Sequence, residues 1–267
     1  MIIFAIIIFL IGLSFGSFAN CLIWRLYKEE SIVGRSYCPQ CGHQLSWYEN
    51  IPLLSFLFLR GRCRACRRHI SWQYPIIELI SALLFLFFWW RQIDFVWSLD
   101  EHTITLMLDS FFWLEVTKLS LAAWTMLVVL VFDWRFLLVS TLFVWPMTLF
   151  FLLLNIFLGA SVSLMLVGMA FSALFFLLQY LLTKGKGLGE GDIWLGLLLG
   201  AIFSSYLSLI SAIFSAYIIG SLVGVLLILF KNKSWGSKLP LGVFLAIGTL
   251  IALIFEKNIA VLVAWYF

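Results

Sequence analysis

The sequence predicts an all-α polytopic membrane protein of about eight transmembrane helices, with a small zinc-binding domain inserted between the first and the second. Three observations carry that expectation. Of 267 residues, 64% are hydrophobic and only 11% are charged, whereas soluble domains average about half and about a quarter. The apolar residues fall in uniform runs of bilayer length, which in lipid means helices. Two CxxC pairs share the one long polar stretch near the N-terminus.

A helical crossing takes about 20 apolar residues. The first run, Ile2–Trp24, is too long for a signal-peptide core and no small-residue cleavage pattern follows it, so it reads as a retained span. Pro75–Trp90, Phe111–Phe132, Leu137–Leu158 and Ser161–Leu182 follow. Ile193–Leu207 and Leu209–Phe230 are separated only by serines, and Leu239–Phe255 is the eighth. Ile259–Phe267 is too short to cross and reads as an interfacial tail. The trough Gln92–Ser110, with its acids and His102, reads as a connection. Three parts are expected: a first transmembrane helix over 1–24, a polar domain over 25–74, and a transmembrane helical domain over 75–267.

Lysine and arginine placement orients the spans. Eight of the seventeen lie in 25–74, and later connections on the same side hold Arg135, Lys184, Lys186, Lys231, Lys233 and Lys238. The opposite connections hold Asp94, Asp100, Glu101 and Asp109. The positive-inside rule puts the 25–74 segment in the cytoplasm and the N-terminus outside. The basic residues sit beside spans, which argues against nucleic-acid binding. Arg60, Arg62, Arg64, Arg67 and Arg68 read first as an anchor against anionic lipid.

Within 25–74, Cys38-Pro-Gln-Cys41 and Cys63-Arg-Ala-Cys66 are separated by 21 residues. Each CxxC turn presents two sulfurs, and a tetrahedral zinc site takes four. The alternative is two disulfides, which a cytoplasmic position opposes. His43 and His69 lie nearby, but four sulfurs complete a shell. Cys21, inside the first span, reads as a small buried hydrophobe.

Two acids stand at the ends of apolar runs on one membrane face: Asp133, in Val131-Phe132-Asp133-Trp134-Arg135, and Asp192, in Gly189-Glu190-Gly191-Asp192. A charge at bilayer depth costs about 2.5–3.5 kcal/mol on insertion scales, which makes each a functional candidate. The structural alternatives are a snorkelling cap paired with Arg135 and an N-cap of the sixth helix. Gly189 and Gly191 would let a peptide approach closely. Two neighbouring carboxylates sharing one proton supply the base and the acid that peptide hydrolysis needs. Glu190 reads as a loop charge. Glu78, in the second span, is left between contact with a reacting group and pairing with an arginine.

Together these residues resemble the type IV prepilin peptidases, GxGD-type aspartic proteases of the bacterial inner membrane. The likeness spans nearly the whole chain. It rests on Ser17-Phe18-Ala19-Asn20 with Arg25, on Cys38 through Trp47-Tyr48-Glu49-Asn50-Ile51-Pro52, and on the two CxxC pairs. Tyr74-Pro75 to Glu78, the GxGD string and Lys238-Leu239-Pro240-Leu241-Gly242 complete it. Two positions depart from the family pattern: Val139-Ser140 where Pro-Asp is common, and Trp194 where lysine is common.

The resemblance implies that Asp133 and Asp192 are the catalytic pair, cutting a short leader from prepilins or pseudopilins at the cytoplasmic face. It further implies N-methylation of the new N-terminus with S-adenosylmethionine. No glycine-rich nucleotide fingerprint is present, so no residue is assigned to the methyl donor. Two other readings compete: another intramembrane GxGD protease without methyltransferase activity, which the CxxC domain disfavours, and a transporter with a zinc-bearing domain. The second needs polar residues spread through the span interiors, which are nearly devoid of them.

Overall fold

Residues 1–97, 110–230 and 239–266 are described by the computed structural model. They are helical, with two isolated β-bridges and no named strand among them. Contacts divide the chain into two compact units, 1–124 and 125–267.

The first unit holds α1 (Ile2–Lys28), a 3-10 turn (Trp47–Asn50), α2 (Leu54–Phe58), α3 (Gln73–Trp97) and the start of α4 (Ser110–Phe136). Small residues set its packing. A Cβ on Gly12 would lie 2.6 Å from the Cα of Ala82, and one on Gly16 2.5 Å from the Cα of Glu78. This small-xxx-small spacing brings the α1 and α3 backbones together, the contact that holds helices where lipid supplies no hydrophobic drive. The Trp124 indole of α4 donates to the Phe15 carbonyl at 2.9 Å. Asn20 donates to the Tyr74 carbonyl at 3.2 Å and accepts from Gln73 at 3.3 Å, fixing the start of α3 against α1.

The second unit holds the end of α4, then α5 (Thr141–Phe157), α6 (Val162–Leu182), α7 (Glu190–Ile202), α8 (Tyr206–Leu229) and α9 (Leu241–Tyr266). Helix α7 packs on α5 and α6, and α8 on α9. Cβ atoms on Gly196 and Gly200 would fall 2.7 Å from Phe176 and 2.5 Å from Met169 of α6. At this close approach the Ser172 hydroxyl donates to the Gly196 carbonyl at 2.7 Å.

Helices α1, α3, α4, α6 and α8 have the length and composition of membrane spans, and α5 and Leu241–Glu256 are shorter apolar helices. The chain is a multi-pass membrane protein. The 13 residues of α7 rise about 20 Å, less than the hydrocarbon thickness of about 30 Å. A helix ending inside the protein leaves carbonyls in need of donors. Asn155 of α5 supplies them, reaching Ala201 O at 2.8 Å and Ile202 O at 3.2 Å.

Some boundaries differ from expectation. The sixth and seventh runs are separate helices, parted at Phe203–Ser205. Helix α4 continues one turn past Asp133 and stops where Leu137 turns left-handed, φ 53°. Ile259–Phe267 is no separate tail, since α9 is continuous to Tyr266. His102, Asp100, Glu101, Asp109 and Lys238 lie outside the described residues.

Candidate active site

Three helix ends of the second unit converge on two carboxylates. Asp133 is 5% exposed and Asp192 8%. Asp133, in the last turn of α4, accepts the Val243 N–H at 3.1 Å, and the Gly242 N–H also reaches it. Both donors belong to the first turn of α9, whose N–H groups have no partner within the helix. Asp133 thus caps a helix that begins more than a hundred residues further along the chain. The fit requires glycine at 242, where a Cβ would lie 2.8 Å from Asp133 Oδ2.

Asp192 caps its own helix. It is the third residue of α7 rather than the N-cap, and its Oδ2 accepts the N–H of the N-cap Gly189 at 3.0 Å. The two acids lie within electrostatic reach of one another. Each carboxylate therefore meets the positive end of a helix, which favours its charge, while burial and the neighbouring acid oppose it.

Val139, between α4 and α5, holds the GxGD turn in register. A Cβ on Gly191 would come within 2.5 Å of the Val139 Cβ, so only glycine admits this packing. Gly189 is roomier; its nearest neighbour would be Asp192 Oδ2 at 3.9 Å. Glu190 turns away from the acids and accepts the Tyr180 hydroxyl of α6 at 3.1 Å. Tyr217 of α8 donates to Gln179 at 2.7 Å and stands within electrostatic reach of Asp192. Trp194 packs against Trp145 in a tilted pair, ring centroids 4.9 Å apart.

The cysteine cluster belongs to the first unit. Each CxxC sits in a short knuckle closed by one bridge, Tyr37 with Gln44 and Arg62 with His69. The residue after each second cysteine is left-handed, Gly42 at φ 72° and Arg67 at φ 60°. The Sγ atoms of Cys38, Cys41, Cys63 and Cys66 all lie within 4.8 Å of one another. Zinc–sulfur bonds of about 2.3 Å put tetrahedral sulfurs about 3.8 Å apart, so the cluster fits the ion. The sulfurs also crowd one another. The Cys66 N–H pulls the Cys63 thiol down to about 7. At Cys41 the His43 N–H also pulls downward, but burial and the other three sulfurs prevail and push it up to about 11. Four sulfurs this close suit a dication, which would hold them as thiolates. His43 faces Glu49 at 3.4 Å instead of joining the cluster, and the Ser46 N–H holds the Glu49 carboxyl below the usual range.

Glu78 meets backbone rather than an arginine. Its Oε2 accepts the Leu53 N–H at 2.8 Å, and the Ser17 hydroxyl also reaches it. What sequence reasoning missed is mainly backbone donors and packing contacts: the Val243 N–H, Asn155, Tyr217 and the contact of Val139 with Gly191. Lys238–Gly242 was a usable signal for the first, with Pro240 and Gly242 opening α9.

Fold and site define a polytopic helical membrane protein with two buried carboxylates at converging helix ends and a four-sulfur knuckle domain. Comparison with known proteins agrees. Residues 10–92 match the Bacterial Peptidase A24 N-terminal domain. The chain is 33% identical over 235 residues to the prepilin leader peptidase/N-methyltransferase of Myxococcus xanthus, covering 86% of this chain and 65% of that relative. It is 30% identical over 285 residues to the protein of the same name in Pseudomonas aeruginosa, covering 96% and 92%. With that of Aeromonas hydrophila the figures are 31% over 291 residues, 97% and 92%. No solved structure matches the chain. The chain belongs to the prepilin leader peptidase/N-methyltransferase family.

Proposed function

We propose that this protein removes the leader peptide from type IV prepilins or pseudopilins at the cytoplasmic face of the bacterial inner membrane, using Asp133 and Asp192, and then N-methylates the new N-terminus. The observation that carries the peptidase reading is the convergence of two buried carboxylates, within electrostatic reach of each other, at the N-terminal ends of α7 and α9. A shared proton lets one acid act as general base and the other as general acid. The base takes a proton from water as the oxygen attacks the scissile carbonyl carbon. The acid protonates the departing nitrogen as the C–N bond breaks, and the pair returns to its single shared proton. A site at the bilayer edge suits a substrate whose own N-terminal segment is an apolar helix.

Cys38, Cys41, Cys63 and Cys66 would hold a structural Zn2+, fixing the two knuckles of a cytoplasmic domain over 25–74. The first helix over 1–24 would anchor that domain, and 75–267 would form the peptidase domain, with Gly189 and Gly191 in the substrate loop. S-adenosylmethionine is the methyl donor that the family resemblance implies, consistent with the N-methyltransferase in the relatives' names, and no residue is assigned to it.

The test is mass spectrometry of a prepilin's N-terminus after co-expression with the enzyme. The native chain yields the shortened, methylated pilin. Asp133→Asn and Asp192→Asn yield uncut prepilin at unchanged enzyme level, and a cut pilin from either variant removes the reading.

A further inference from the structure

A band of exposed apolar side chains surrounds α2, beside a run of arginines. Leu57 is 67% exposed, Phe58 83% and Trp72 70%. The Phe56 and Trp72 rings meet at 5.0 Å, which joins α2 to the residue preceding α3. Apolar side chains so exposed on a domain facing water alone would invite association.

Two features fix where the band lies. Leu53 holds a strained backbone, φ 59° and ψ −48°. Its turn is closed by Leu54 N–H on Pro52 O at 2.6 Å. Such a γ-turn is rare and persists only where its surroundings enforce it. Here the Leu53 N–H is held by the buried carboxylate of Glu78 at 2.8 Å. Glu78 lies five residues into α3, about 7 Å along the helix axis. Segment 53–58 is thus tied alongside the first turns of a span, the level at which headgroups meet acyl chains. Arg60, Arg62, Arg64, Arg67 and Arg68 follow it, all exposed. An apolar band beside a run of arginines is the composition that settles into an anionic interface.

We infer that the α2 segment is a membrane foot: Leu57, Phe58 and Trp72 insert at the headgroup–acyl boundary, the following arginines take anionic phospholipid headgroups, and the Glu78–Leu53 hydrogen bond holds the foot at that depth. This gives the strained turn and the intramembrane acid one shared role, independent of the peptidase chemistry.

The test places p-benzoylphenylalanine at Phe58 of the full-length chain, in nanodiscs of phosphatidylcholine and phosphatidylglycerol. After irradiation, adducts are read by mass spectrometry. Lipid adducts are expected, with phosphatidylglycerol enriched over its share of the disc. The R60Q/R62Q/R64Q variant should lower that enrichment several-fold, and Glu78→Leu should lower the total lipid adduct. A probe that reacts with a second copy of the chain, or with no lipid, overturns the inference. So does an enrichment that the arginine variant leaves unchanged.

Discussion

Gly242→Ala separates the chemistry of the site from the stability of the fold. The added methyl would stand 2.8 Å from Asp133 Oδ2 and 3.1 Å from its Cγ, several tenths of an ångström inside ordinary contact. The carboxylate is the mobile partner, so it swings away and stretches the 3.1 Å bond from the Val243 N–H. A hydrogen bond to a charged group contributes about 1.5–3 kcal/mol, which corresponds to a loss of about 10- to 150-fold in kcat/KM. The helix itself gains, because alanine is favoured over glycine by up to about 1 kcal/mol. Leader cleavage and thermal melting, measured on one preparation, should therefore move unequally: cleavage slows by that factor, while the helix gain offsets part of the lost bond and Tm falls only slightly. Wild-type cleavage by Gly242→Ala would refute the role given to the α9 N-terminus. A fall in Tm parallel to activity would mean that the glycine serves packing alone.

Three further outcomes follow from the same structure. Gly191→Ala should impair cleavage by driving a methyl into Val139, and Val139→Ala should restore part of it in the double variant; simple additivity in the cycle would count against the contact. Asn155→Leu should strip the donors from the end of α7, lowering stability by about 1–3 kcal/mol in chemical denaturation while leaving membrane insertion intact. Elemental analysis should find one zinc per chain, lost in Cys63→Ser and on strong chelation; a metal-free protein with an unchanged melting profile would exclude a structural ion.

The large features were legible because each has a local signature. Apolar runs bounded by charges marked the helices, and the CxxC spacing marked the knuckles. The sixth and seventh runs are two helices, but the break falls at Phe203–Ser205, inside the expected sixth run, and Ser208 lies within α8. What was illegible has physical reasons as well. Asp133 is capped by a backbone N–H from 110 residues away, and a backbone donor has no residue type to betray it. The end of α9 was read as a tail because Glu256 and Lys257 interrupt the hydropathy, yet both are good helix formers and the helix runs through them. The N3 role of Asp192 looks like an N-cap in sequence, since the difference depends on which glycine starts the helix. Helix α2 has five residues, too few for any periodicity.

The most direct measurement is the rate of leader cleavage by Asp133→Asn, Asp192→Asn and the doubly substituted chain, side by side. If two acids act as one unit, each single change removes nearly all activity and the second removes no more. Independent partial losses that multiply in the double variant would show that the two carboxylates do not work together.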